Sequence, residues 1–156
     1  LITEFKAYEN LIFGYHHQQP FSKSSILKEN EILSHSRKVM KDYDVRPQSP
    51  NLITSNFSGG NQQKIILSRE LNKNPKVLLV GQPTRGVDIG AIEFIHQRLI
   101  DMRNKGAAIL LVSVELEEVL SLSDRIVVMF DGKIVGERVN KDVTDREIGL
   151  LMAGIA

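Results

Sequence analysis

The chain has 156 residues, 42% of them hydrophobic and 25% charged, with a formal net charge of +1. That is one domain, or one core with a small appendage, of ordinary globular composition. Its charge gives no global field to draw nucleic acid or anionic lipid, and the lack of cysteine excludes disulfides, thiolate catalysis and cysteine metal sites.

The longest apolar runs, at 107–112 and 126–130, are too short to span a bilayer. No basic segment leads into an apolar stretch at the start, so no signal peptide is expected. Leu1 stands first rather than Met, and the chain is expected to be a piece of something longer. Residues 3–13 place Phe5, Tyr8, Leu11 and Ile12 near helical spacing, which predicts a short helix closed by Gly14. Residues 15–25, with Pro20 and Phe21, read as a loop. The adjacent His16 and His17 lie there; without further ligands they read as solvated side chains, not a metal pair. A second helix is predicted over 26–43, with Ile32, Leu33, Val39 and Met40 on one side. Pro47 and Pro50 then begin an extended linker. Residues 1–55 therefore read as mainly helical, with no strand signal.

The texture changes at Asn56-Phe57-Ser58-Gly59-Gly60-Asn61-Gln62-Gln63-Lys64. Ser58 suits an N-cap, its oxygen accepting from an amide of the first turn. Gly59 and Gly60 carry no Cβ, so another surface can approach the backbone. Free amides and a positive dipole end then point one way, as in a phosphate site. For Ser-Gly-Gly alone an ordinary capped helix after a tight turn is the more common reading, and the rest of the chain has to decide. The helix is predicted over 59–73, stopping at Asn74-Pro75.

The apolar run 77–80 predicts a buried parallel strand. A loop over 83–90 holds Gly86 and Asp88. An amphipathic helix over 91–105 places Ile92, Ile95, Leu99 and Met102 on one face, with Gly106 as its stop. A second buried strand is predicted over 107–112, a short acidic helix over 115–122 and a third strand over 126–130. Asp131-Gly132 signals a hairpin into 133–139. A closing helix over 144–152 carries a capping box of Thr144 and Glu147. Strand and helix alternate, which predicts an α/β fold with a parallel sheet.

Ligands of such sheets bind at the carboxyl ends of the strands. Here those ends are Gly81-Gln82 and Ser113-Val114. A magnesium-dependent phosphate enzyme would want a carboxylate at the first, and Gln82 cannot act as a base. Val114 has no polar side-chain atom. No Gly-x-x-x-x-Gly-Lys-Ser/Thr loop occurs in the chain. His35 and His96 are isolated on helices. Glu115, Glu117 and Glu118 open a helix, where they suit the dipole, and acid–base catalysis is the weaker reading.

The run from Ser58 to Lys64, then Leu78-Leu79-Val80-Gly81-Gln82-Pro83-Thr84, Arg85-Gly86-Val87-Asp88-Ile89-Gly90-Ala91 and Leu111-Val112-Ser113 together resemble the ATP-binding subunits of ABC transporters. The Asn-Gln-Gln-Lys variant and the Pro-Thr-Arg-Gly run look like the importers of simple sugars and nucleosides, whose ATPase subunit carries two fused nucleotide-binding domains. Tyr15 to Phe21 and Val45-Arg46-Pro47 are similar to the nucleoside branch. The resemblance implies the P-loop NTPase (ABC ATPase) fold in part: an α/β parallel-sheet core without the phosphate-loop strand, with a helical subdomain. It implies a division into 1–56, helical subdomain and linker, and 57–156, the back part of the second domain's core.

By the same resemblance Ser58, Gly59, Gly60, Asn61 and Gln62 match the signature motif, which faces the γ-phosphate of ATP held by a partner domain. Asp88 matches the loop that crosses the dimer seam. Gly81 stands where the family has its magnesium-associated Asp, Gln82 where it has the catalytic Glu and Val114 where it has the switch His. No intact catalytic set and no metal ligands are therefore expected, and this chain would donate its signature helix to another site. ATP and Mg2+ belong to the full dimeric assembly and are not expected in this piece alone. Implied partners are another nucleotide-binding domain, membrane permease subunits through the helical subdomain and, indirectly, a solute-binding protein. No nucleic acid is implied. The implied location is the cytoplasmic face of the membrane, peripherally attached. A non-catalytic nucleotide-sensing or docking module is the alternative. A chromosome-maintenance or translation ATPase is a weaker third, since no heptad or basic tract is present. For the isolated piece, an exposed sheet edge or partner surface is expected.

Overall fold

A computed structural model describes residues 1–141 and 143–155. It divides into two compact units, one of Leu1–Lys76 with Thr84–Ala107 and one of Val77–Pro83 with the chain from Ala108 on.

In the first unit, helix α1 spans only Ala7–Leu11. The predicted earlier turn is absent because residues 2–6 bond elsewhere. Thr54 donates its amide to the Phe5 carbonyl at 2.8 Å, and Lys6 bridges Ile53. Asn10, fully buried, fixes the crossing by bonding Ile2 on both its amide and carbonyl and Thr54 through Oγ1. The loop predicted over 15–25 contains a strand instead. Ser22–Lys23 (β1) pairs antiparallel with Ile26–Leu27 (β2), turning through Ser24 and Ser25, both left-handed at φ 51° and 64°. That pairing takes Ile26 and Leu27 out of the second helix, so α2 runs Glu29–Asp42.

Helix α3 follows at Gly59–Leu71 and α4 at Ile89–Asn104. Ala91, rather than Ile92, leads the buried face of α4 with Ile95, Leu99 and Met102. Ala7, Leu11, Val39, Met40, Val45, Phe57 and Ile65 form one core cluster, and Ile12, Phe21 and Ile32 a second. The apolar stripes of α1, α2 and α3 thus meet, which is what stabilises helices too short to persist alone in water.

The second unit holds β3 (Val77–Gly81), β4 (Ala108–Val112), α5 (Leu116–Leu122), β5 (Arg125–Phe130), β6 (Lys133–Val139) and α6 (Asp145–Met152). β3 and β4 are parallel, with Val77 opposite Ala108 and Gly81 opposite Val112. β5 does not extend that parallel ladder. It pairs antiparallel with β6 through Asp131 (φ 46°) and Gly132 (φ 72°), as the Asp-Gly signal requires. The expectation of strands buried on both faces is also corrected. Leu78 is 8% exposed, but Val77, Leu79, Leu110 and Val112 are 58–74% exposed. Parallel strands bury both faces only when helices cover each side; here alternate residues face solvent.

Ile126, Val128, Ile148 and Leu151 form this unit's core, with Leu116, Val119 and Leu120 against it. Thr144 caps α6 by accepting from the Glu147 amide at 3.3 Å. The Glu147 carboxylate does not return to the cap; it pairs with Arg138 at 2.5 Å, so the predicted box is half formed.

Candidate functional site

The site begins at the start of α3. Ser58 is extended (φ −61°, ψ 157°) and exposed, and the first helical bond runs from the Gln62 amide to the Ser58 carbonyl at 2.9 Å. The amides of Gly59, Gly60 and Asn61 precede that bond, the usual orphan donors of a helix start. The side-chain cap expected of Ser58 is absent. Its oxygen instead accepts from Asn61 Nδ2 at 2.9 Å, while Asn61 Oδ1 accepts from the Arg46 amide at 2.7 Å. Gln62 Nε2 donates back to the Phe57 carbonyl at 2.9 Å.

Both glycines are used for close approach. A Cβ at Gly59 would stand 3.3 Å from the Gly86 carbonyl. One at Gly60 would stand 3.3 Å from Asp88 Oδ2 and 3.4 Å from Ala91 Cβ. The surface that approaches is therefore the chain's own loop before α4. Asp88 is exposed and caps α4, accepting from the Ala91 amide at 2.9 Å. Ser58, Gly59, Gly60, Asn61, Gln62 and Asp88 are thus brought together.

Sequence reasoning missed Lys64, Asp44 and the backbone of Arg46. Lys64 is 9% exposed. Its ammonium donates to the Asp44 carbonyl at 3.0 Å, lies 3.5 Å from Asp44 Oδ2 and sits 5.0 Å from the Phe94 ring centre. The Arg46 guanidinium donates to Asp44 Oδ1 at 2.8 Å and, with a smaller contribution from Lys64, holds the Asp44 carboxyl below its ordinary range. Lys64 lies four residues from buried Gly60, on the same helical face. That spacing was the available signal for its burial.

Gly81, Gln82 and Val114 lie together in the second unit, at the ends of β3 and β4. The Gln82 amide donates to the Val112 carbonyl at 2.8 Å, continuing the ladder past Gly81. Gln82 is left-handed (φ 49°), a conformation a non-glycine residue holds only against a local cost. Nothing lies within 4 Å of a Cβ built at Gly81, so no steric demand requires glycine there. Val114 is 65% exposed. Magnesium wants carboxylate oxygen, and these three residues supply none, so they do not fit that ion. Among the described residues no group of three His, Cys, Asp or Glu is arranged to hold a metal. No helix among them is long and apolar enough to cross a membrane.

His16, His17 and His35 pack against aromatic rings. His16 and His17 are exposed, their rings edge to face at 5.7 Å. His35 packs edge-on to Phe21 at 4.8 Å, and burial, then Lys38, pushes its pKa below the ordinary value. Tyr15 donates to the Leu11 carbonyl, and burial pushes its hydroxyl up to about 12.

No family model matches the chain. Over 154 residues it is 46% identical to a nucleoside import ATP-binding protein of Lactococcus lactis subsp. cremoris and 44% identical to a guanosine import ATP-binding protein of Bacillus subtilis. Each match covers 99% of this chain and 30% of the relative. A ribose import ATP-binding protein of Oceanobacillus iheyensis is 34% identical over 95% of the chain and 29% of its own length. The chain therefore spans about 30% of the length of the curated relatives it matches. Among solved structures, a dimeric post-hydrolysis ATP-binding cassette bound to ADP and phosphate superposes with TM-score 0.72 at 25% identity, over 92% of this chain and 60% of that one. A nucleotide-free cassette of an ABC transporter gives 0.71 at 24% identity, over 97% and 60%.

The chain belongs to the ABC-transporter ATPase family and has part of its P-loop NTPase fold. Within that family it is similar to the nucleoside and ribose import ATP-binding proteins.

Proposed function

We propose that this chain is the back part of the second nucleotide-binding domain of an importer's ATPase subunit, working on a sugar or nucleoside transporter. It presents the start of α3 to the γ-phosphate of an ATP held by another nucleotide-binding domain. Ser58, Gly59, Gly60, Asn61 and Gln62 form that face, and Asp88 holds the neighbouring loop. The observation that carries the reading is the exposed Ser58-Gly59 turn, with the amides of Gly59, Gly60 and Asn61 ahead of the first helical bond. Preformed amides and a helix dipole stabilise developing negative charge without reorganising.

The chain's own site is degenerate. Gly81 and Gln82 offer no carboxylate and Val114 no imidazole, so hydrolysis is confined to the composite site that this helix completes. ATP and Mg2+ act there, in the full assembly. Residues 1–56 serve as the helical subdomain and linker that face the permease subunits, and residues 57–156 as the core that docks the other domain. A solute-binding protein takes part only indirectly. The parent protein works at the cytoplasmic face of the membrane, peripherally attached.

The loss at Gly81, Gln82 and Val114 favours a second reading, a nucleotide-sensing or docking module without any catalytic contribution. Two variants of the full-length protein separate them. Gly59→Asp, which sets a carboxylate in the phosphate's path, is expected to lower ATP turnover at least tenfold, and Gln82→Glu to change it less than twofold. Unaltered turnover in Gly59→Asp, with the protein folded by its melting curve, would overturn the first reading.

A further inference from the structure

From the two bonds of Asn61 we infer that it is a positioning residue: it turns the Ser58 hydroxyl into a hydrogen-bond donor and keeps it from capping its own helix. This rests on the proposed function. The side chain of Asn61 then acts through Ser58, while its backbone amide stays with those of Gly59 and Gly60 at the helix start.

The orientation of the Asn61 amide is fixed by its surroundings. A backbone N–H can only donate, so the atom 2.7 Å from the Arg46 amide is the carbonyl oxygen Oδ1. The atom 2.9 Å from Ser58 Oγ is therefore the NH2 group, which has hydrogens to give and no lone pair to offer. Ser58 Oγ must accept in that contact. A serine hydroxyl carries one proton besides its lone pairs, and that proton is left to point away from Asn61, towards solvent, since Ser58 is exposed. A terminal phosphate oxygen is an acceptor. Ser58 is thus held in the polarity that such an oxygen needs.

The same bond explains the missing cap. A serine ahead of a helix ordinarily accepts from an amide of the first turn, and this one does not. Were the oxygen to turn inward, one of the amides needed for the anion would be consumed and the hydroxyl would face its own helix. Asn61 lies within the first turn, three residues after Ser58, close enough to compete for the oxygen. Its far end is anchored to the Arg46 amide, and the Arg46 guanidinium and the Lys64 ammonium each bond Asp44.

The test is a double-mutant cycle on ATP turnover in the full-length protein, using Ser58→Ala, Asn61→Ala and both together, with melting temperatures alongside. Ser58→Ala is expected to lower kcat about tenfold, Asn61→Ala by about fivefold, and the double variant no further than Ser58→Ala, because coupled neighbours fail to add. A purely structural Asn61 would give the product of the two losses, and that result overturns the inference. Asn61→Asp covers the case in which Asn61→Ala does not fold. It keeps an acceptor for the Arg46 amide, suits the helix dipole, and has no donor. Its charge also acts on the phosphate, so it is read as a ratio: its loss with Ser58 present must exceed its loss in the Ser58→Ala background by about fivefold or more. A ratio near one overturns the inference. Unchanged turnover in Ser58→Ala overturns the proposed function itself, whereas a loss in Ser58→Ala with none in either Asn61 variant overturns only the role given to Asn61.

Discussion

Lys64 is the most exacting test of how α3 is held. Three contacts favour its ammonium. The bond to the Asp44 carbonyl is 3.0 Å long, and a hydrogen bond to a charged group contributes about 1.5–3 kcal/mol. The Phe94 ring centre is 5.0 Å away, which adds about 0.5–1 kcal/mol. Asp44 Oδ2, at 3.5 Å, belongs to a half-exposed carboxylate and adds less than about 1 kcal/mol. Against these stands the desolvation of an ammonium at a position 9% exposed, a cost of several kcal/mol in such settings. Cost and gains nearly cancel, which leaves the charge worth about 0–2 kcal/mol. Lys64→Met, which keeps the stem, should destabilise by that amount. Lys64→Ala also loses the stem's burial, at about 0.8 kcal/mol per methylene, and should cost about 2–4 kcal/mol. At about 2–4 °C per kcal/mol for a domain of this size, the two melting curves separate clearly. Asp44→Ala leaves the carbonyl in place and should cost less than about 1 kcal/mol. A Lys64→Met protein melting above the parent would show that the ammonium is a net cost. Equal losses in Asp44→Ala and Lys64→Ala would show that the carboxylate, not the carbonyl, is the partner.

Two further outcomes are expected. Gly60→Val places three carbons where a single Cβ already meets Asp88 Oδ2 at 3.3 Å, and overpacking of this kind costs about 1–3 kcal/mol. Gly81→Ala, where nothing lies within 4 Å, should stay within about 0.5 kcal/mol; denaturant titrations giving the reverse order would refute the close approach of α3 to the loop before α4. His35 has a pKa below its ordinary 6.5 in the fold, from burial against Phe21 and then from Lys38. The unfolded chain binds the proton better, so stability is lost as pH falls through 6.5 and below. His35→Gln should flatten that dependence between about pH 7.5 and 5.5, and an unchanged slope would assign it to other groups.

Much of the site was legible locally. Ser-Gly-Gly before an apolar-periodic run announces a helix start open to close approach, and the structure puts α3 at Gly59–Leu71, within two residues of the predicted 59–73. Asp131-Gly132 specified its hairpin because only left-handed residues close that turn. The absence of a carboxylate at 81 and 82 needed no structure to see. These features depend on neighbours a few positions away, or on residue identity alone.

Other features depended on strand pairing and coverage, which helical periodicity does not encode. Lys6 pairs with Ile53 and shortens α1. The Ser22–Leu27 pairing removes the first residues of the predicted second helix. β5 stays out of the β3–β4 ladder, and one face of β3 and β4 stays open. The Ser58 hydroxyl shows the divide most plainly. Its position at the helix start follows from sequence, since Ser and Gly are what such a start needs. Its polarity does not, because that depends on Asn61, and the orientation of Asn61 depends on the Arg46 amide, 15 residues away, delivered by the packing of α2 and α3.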